Sequence, residues 1–160
     1  MDFEIRTARP KEIPLVKALW REYWEWLGLG GAFQGFEAEV ESLPGKYELL
    51  LLAFAKGEAI ATAALRPIGD GMCEAKRLYV RPSARGTGVA RALLERLIAD
   101  AEAAGYSAIC ADTMPSMIPA LTLYRRAGFI DVGPYAADPT PGAVYLKRYL
   151  NPPAIAPTTK

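Results

Sequence analysis

The stretch that decides the fold is Leu78-Tyr79-Val80-Arg81-Pro82-Ser83-Ala84-Arg85-Gly86-Thr87-Gly88-Val89-Ala90-Arg91-Ala92-Leu93-Leu94. Leu78, Tyr79 and Val80 read as the end of an apolar strand, Pro82 stops it, and Gly86 and Gly88 make a tight turn. Ala92, Leu93, Leu94, Leu97 and Ile98 then recur at helical spacing, which predicts a helix from Thr87 to about Ala104, closed by Gly105. Glycines beside a helix start let several backbone N–H groups converge on one spot, where the helix dipole also favours negative charge. The predicted ligand of the turn from Arg85 to Ala90 is a phosphate.

Toward the C-terminus, Ala108 to Ala111 forms a buried-type strand, so strand, helix and strand make a right-handed parallel βαβ unit. A helix is predicted from Ser116 to Ala127, with Gly128-Phe129 as its cap and the start of a strand to Val132. A turn-rich loop, Pro134 to Gly142, leads into a last strand from Ala143 to Leu150. Toward the N-terminus, Cys73 to Val80 is a strand, entered through Gly69-Asp70-Gly71. Before it, Tyr47 to Ala55 and Ala59 to Leu65 read as an antiparallel hairpin. Glu37 to Leu43 reads as a short helix, and Gly28 to Phe36 as a glycine-rich loop suited either to closing over a substrate or to connecting two elements. Phe3, Ile5 and Thr7 alternate as a first strand, and Pro10 opens a long amphipathic helix to Leu27. Its Trp20, Tyr23, Trp24 and Trp26 are read as core in preference to a ligand box, because aromatic residues at helical spacing bury first.

The 160 residues fit one domain over 1–150, with a loose proline-containing tail over 151–160. A formal net charge of +1 points to neither nucleic acid nor an acidic membrane. The longest apolar run, Leu49 to Ala55, is far short of a membrane span, and the expected compartment is the cytoplasm. Cys73 and Cys110 sit in apolar strand-like runs outside any metal-ligand spacing and are read as reduced core thiols. Histidine is absent, which removes the commonest general base and most zinc sites, so no metal is expected. Acid and base chemistry then falls to carboxylates, Tyr, Lys or Cys.

These residues resemble the GNAT family of N-acetyltransferases. The likeness is carried by Leu78 to Pro82 running into Arg85-Gly86-Thr87-Gly88-Val89-Ala90, by Leu93-Leu94, and by Ala120-Leu121, Leu123-Tyr124 and Ala127-Gly128-Phe129. It extends over the order of elements from the first strand to about Leu150. The resemblance implies an α/β fold: a mixed, mostly antiparallel sheet of six to seven strands with a central parallel pair that splays apart, flanked by about four helices. It implies acetyl-CoA as cosubstrate and an amine acceptor, and it allows a homodimer. The pyrophosphate is expected on the N–H groups of Arg85, Gly86, Thr87, Gly88, Val89 and Ala90, with the Arg85 guanidinium as a further partner. The pantetheine arm is expected against the backbone of Leu78 and Val80, as an added strand would lie. Many relatives place an Asn at the start of the later helix to contact that arm; this chain has Met114-Pro115-Ser116-Met117, and Ser116 is the expected substitute.

Transfer to an amine needs a neutral nitrogen, and a lysine-like amine of pKa near 10.4 is neutralised at pH 7 only at a cost of about 4 to 5 kcal/mol. By resemblance Glu74 is the expected base, acting through water, with Asp112 as the competing carboxylate and a salt bridge of Glu74 to Lys76 or Arg77 as the structural alternative. Tyr124 matches the family's acid position, where a phenol returns a proton to the departing thiolate and also borders the cosubstrate. The expected function is acetyl-CoA-dependent N-acetyl transfer to a small molecule or peptide. Two other classes stay open: an acyl-CoA-binding sensor without chemistry, and an interaction domain presenting an exposed Trp20, Trp24 or Trp26.

Overall fold

The computed structural model describes residues 2–28, 35–136 and 140–151. Residues 29–34 of the predicted glycine-rich loop, 137–139 of the later loop and 152–160 of the tail lie outside the described residues. The elements run β1 (Glu4–Thr7), α1 (Ile13–Leu27), α2 (Phe36–Glu41), β2 (Leu49–Ala55), β3 (Glu58–Gly69), β4 (Met72–Val80), α3 (Val89–Ala103), β5 (Ala108–Thr113), α4 (Ile118–Arg126), β6 (Ile130–Val132) and β7 (Val144–Tyr149). One sheet holds all seven strands in the order β1-β2-β3-β4-β5-β7-β6. Every pairing is antiparallel except β4 with β5, the pair bridged by α3.

The uninterrupted apolar run of β2 is explained by helices on both faces. Leu51 and Ala53 enter a core with Leu93, Leu94 and Leu97 of α3 and Leu121 of α4. Leu50 and Leu52 enter a second core with Val16, Leu19 and Trp20 of α1 and Phe36 and Val40 of α2. Each fully buried leucine contributes about 2 kcal/mol relative to exposure. Trp20 is completely buried and meets Tyr47 edge-on at 5.0 Å, as the core reading of α1 requires. Trp26, at 48% exposure, does not belong to that core.

Several boundaries move for local reasons. Pro10–Glu12 is a 3-10 turn and the α-helix begins at Ile13, because Pro14 lacks the N–H needed deeper in a helix and is tolerated only in the first turn. The helix predicted from Thr87 begins at Val89, because Gly88 at φ +88° is left-handed and ends the turn. The helix predicted from Ser116 begins at Ile118, with Pro119 in its first turn. β3 runs on to Gly69, past the predicted Leu65, because Arg66 finds a carboxylate partner across the hairpin in Glu74.

Candidate active site

The parallel ladder between β4 and β5 is short: Met72 with Ala108, Cys73 with Ile109, Glu74 with Cys110, and no further pair. Both strands continue, β4 to Val80 and β5 to Thr113, so they part beyond Glu74. The divergence coincides with a bulge in β4. On β3, Thr62 and Ala64 are two apart, while their partners Tyr79 and Lys76 are three apart. The extra residue lies at Arg77-Leu78, and Arg77 adopts φ +56°. A left-handed non-glycine residue costs about 1 to 2 kcal/mol. Arg77 offsets this by donating Nη2 to both Glu39 oxygens at 3.1 and 3.2 Å, with its guanidinium 5.5 to 6.0 Å from the rings of Trp20, Phe36 and Trp24.

The opening between the strands is a cleft. Tyr23 and Trp26 of α1 form one wall, Lys76 to Val80 of β4 and Asp112 and Thr113 of β5 the floor, and Met117, Pro119, Ala120, Leu123 and Tyr124 the opposite wall. Arg85 and Ala90 close one end. Of the residues singled out in the sequence, Leu78, Val80, Arg85, Ala90 and Tyr124 therefore line one cavity.

At that end, Gly86 at φ +77° and Gly88 at φ +88° hold left-handed conformations that glycine adopts freely. A Cβ at either would meet nothing within 4 Å, so the turn presents an open backbone surface. The Thr87 hydroxyl is turned inward, donating to the Ala84 carbonyl at 2.5 Å, and the Val89 side chain is buried in the core. No side chain caps α3, and its first internal bond is Ala92 N–H to the Gly88 carbonyl. The N–H groups of Val89, Ala90 and Arg91 thus have no partner within the helix, the kind of helix start that favours anions. The Arg85 guanidinium lies 4.7 Å from the Trp26 ring, and its Nε donates to the Val80 carbonyl at 3.1 Å. Arg81 is engaged elsewhere: Nε donates to Glu22 at 3.0 Å and Nη1 to the Ala59 carbonyl at 2.9 Å.

Tyr124 is 5% exposed, edge-on to Phe129 at 5.2 Å, and borders the cleft. Burial pushes its phenol pKa up, and Tyr23, Asp112 and Glu74 push the same way, so the hydroxyl keeps its proton well above neutral pH. Burial likewise raises Tyr23, which faces Tyr124 across the cleft.

Glu74 has a different setting. Its side chain is 3% exposed and absent from the cleft lining; Oε1 sits 2.7 Å from the Arg66 guanidinium, and Oε2 accepts the Tyr135 hydroxyl. The salt bridge foreseen for it has Arg66 as chief partner, with Lys76 at 3.9 Å, while Arg77 belongs to Glu39. Asp112 is on the floor itself, 21% exposed, with Lys76 Nζ at 3.2 Å from Oδ1. Ser116 is exposed and outside the lining; Thr113 and Met117 border the cleft on that side. Burial lifts the Cys73 and Cys110 thiols to about 12 and about 11, as inert core thiols require.

Residues that sequence reading left out are Tyr23, Lys76 and Arg77 as lining, with Glu39, Arg66 and Tyr135 behind them. They come from five separate segments, and only the fold assembles them. Among the described residues no helix is long and apolar enough to cross a membrane, and no group of three His, Cys, Asp or Glu side chains is placed to hold a metal ion.

Residues 13–129 match the model of the acetyltransferase (GNAT) family. An uncharacterized N-acetyltransferase of Schizosaccharomyces pombe is 34% identical over 148 residues, covering 89% of this chain and 91% of that one. Among solved structures, an acetyltransferase from Streptococcus agalactiae superposes with a TM-score of 0.77 at 18% identity, covering 92% of this chain and 98% of that one. The PaiA N-acetyltransferase of Thermoplasma acidophilum, solved in complex with coenzyme A, gives 0.73 at 18% identity, covering 93% and 99%. The sequence match, the parting β4–β5 pair and the uncapped helix behind the glycine turn agree, and the chain belongs to the GNAT family of acetyltransferases.

Proposed function

We propose that this enzyme transfers an acetyl group from acetyl-CoA to the amine of a small molecule or a peptide by direct attack. The observation that carries the reading is a single cleft joining the anion-binding start of α3 to the Tyr124 hydroxyl. The pyrophosphate of the donor lies on the backbone N–H groups of Gly86 to Ala90, and the pantetheine arm extends between β4 and β5 against Leu78 and Val80. The Val80 carbonyl, which accepts from Arg85 Nε, has a second lone pair for the arm, and the terminal nitrogens of Arg85 can meet a phosphate oxygen.

In the transfer, the amine lone pair forms the C–N bond to the acetyl carbon, and the C–S bond breaks with its electron pair going to sulfur. The nitrogen loses one proton and the sulfur gains one. Tyr124 supplies the second proton, being buried, protonated and on the wall of the cleft. For the first, Asp112 is the better-placed carboxylate, directly or through water, since both Glu74 oxygens are engaged behind the floor. Glu74 instead holds Arg66 and the Tyr135 segment in place. Holding both substrates in one cleft supplies most of the acceleration, and the route uses no metal.

The sensor reading draws on the engagement of Glu74; a protonated Tyr124 on the cleft wall argues against it. Thiol release from acetyl-CoA across a panel of amines separates the two. Saturable release with at least one amine class is expected, whereas acetyl-CoA binding without release from any amine would establish the sensor.

A further inference from the structure

We propose that the acceptor carries a carboxylate beside its amine, received by Lys76 and Arg77 on the cleft floor, so that the substrate is of amino-acid type. This inference rests on the transferase reading above and narrows its acceptor.

Glu39 and Glu74 behind the floor and Asp112 on it are each already answered by a cation or a phenol of the protein. Glu39 accepts from Arg77 and from the Tyr47 hydroxyl. Glu74 accepts from Arg66 and Tyr135, and Asp112 accepts from Lys76. A polyamine or another polycation therefore finds none of these three carboxylates unanswered. Cations outnumber these carboxylates, four to three: Lys46, Arg66, Lys76 and Arg77. The surplus is felt locally. Burial and the neighbouring Arg66, Lys76 and Arg77 together hold the Lys46 ammonium below the usual lysine range, in spite of Glu39.

A second observation concerns Arg77 itself. Its Nε is buried with no hydrogen-bond partner among the described residues, and Arg77 is one of the residues bordering the cleft. A buried donor left unmade costs about 1 to 3 kcal/mol, so an oxyanion that approached this guanidinium would recover part of that cost. Lys76 stands beside it with its Nζ on Asp112 Oδ1. A carboxylate bound there leaves the acceptor amine toward Tyr23, Tyr124 and Asp112, where the acetyl carbon is expected. The positive surroundings also disfavour the ammonium form of the amine, which helps the neutral nucleophile to form.

The test uses the full-length protein and matched pairs of acceptors, each an α-amino acid and its carboxamide, with a diamine of similar length. The carboxamide amine is less basic, so neutrality of the nucleophile alone would favour the carboxamide. The expected result is kcat/KM at least tenfold higher for the amino acids than for their carboxamides, with that preference cut about tenfold in Lys76→Met. Carboxamides or diamines used as well as the amino acids would overturn this inference and leave the transferase standing. Acetyl-CoA binding without thiol release from any acceptor would overturn both.

Discussion

The two ends of the cleft are built in opposite ways. The end proposed above for the donor is backbone: a glycine turn, an uncapped helix start and a strand edge, all within Leu78 to Ala90. The end proposed for the acceptor is side chain: Lys76 and Arg77 from β4 and Asp112 from β5 border it, backed by Glu39 from α2, Arg66 from β3, Glu74 from β4 and Tyr135 from the segment after β6. A backbone site tolerates changes in most side chains and recognises one constant feature, a phosphate. A side-chain network can be re-specified residue by residue, which suits the half of the reaction where acceptors differ.

The largest effect should come from breaking the acceptor-end network at its buried centre. Removing one partner of a buried ion pair strands the other, so Glu74→Ala should cost about 3 kcal/mol of stability, which lowers Tm by about 6 to 12 °C in a chain of this size. Turnover by the folded fraction, measured at low temperature, should fall only a few-fold. A loss far beyond the loss of folded protein would return Glu74 to the role of base.

Tyr124→Phe should act the other way, on rate and not on stability. The ring packing on Phe129 is kept. Because a thiolate leaves fairly well unaided, kcat should drop by about a hundredfold or less, with acetyl-CoA affinity nearly unchanged. Unchanged turnover would remove Tyr124 from the chemistry and leave the donor end purely a binding site.

A smaller effect calibrates both from outside the cleft. Glu12 accepts from Arg6 at 2.5 Å and from the Arg9 N–H at 2.9 Å, and these hydrogen bonds pull its carboxyl down to about 2. A folded-state pKa below the ordinary carboxylate value of about 4.3 means stability that is fully present above that pH and lost as pH falls through about 2. The Tm gap between the wild type and Glu12→Gln should therefore be constant from pH 7 to 5 and shrink toward pH 2. A gap that does not change with pH would mean that the pair contributes packing and not charge.

The same contrast explains what the sequence disclosed. Apolar periodicity, Gly86, Gly88 and Gly128 are local signals, and they located the strand, turn and helix units and the family without the coordinates. Tyr124 was legible because its spacing to Gly128-Phe129 is part of that pattern. Arg66 as the partner of Glu74 was not: the two are eight residues apart in sequence, and their meeting depends on β3 running past Leu65 to a register no local pattern sets. The left-handed Arg77 has no sequence signature either, since a bulge there is stabilised by Glu39 and three aromatic rings from other elements. Trp26 followed the helical period of a core residue, yet the end of α1 projects it to the cleft mouth under Arg85.

The most direct test of the donor end is thermal unfolding with and without acetyl-CoA. A ligand at about a hundred times its Kd adds about 2.7 kcal/mol, which should raise Tm by about 5 to 11 °C. No shift with acetyl-CoA or CoA at millimolar concentration would contradict the assignment of this cleft to acetyl transfer.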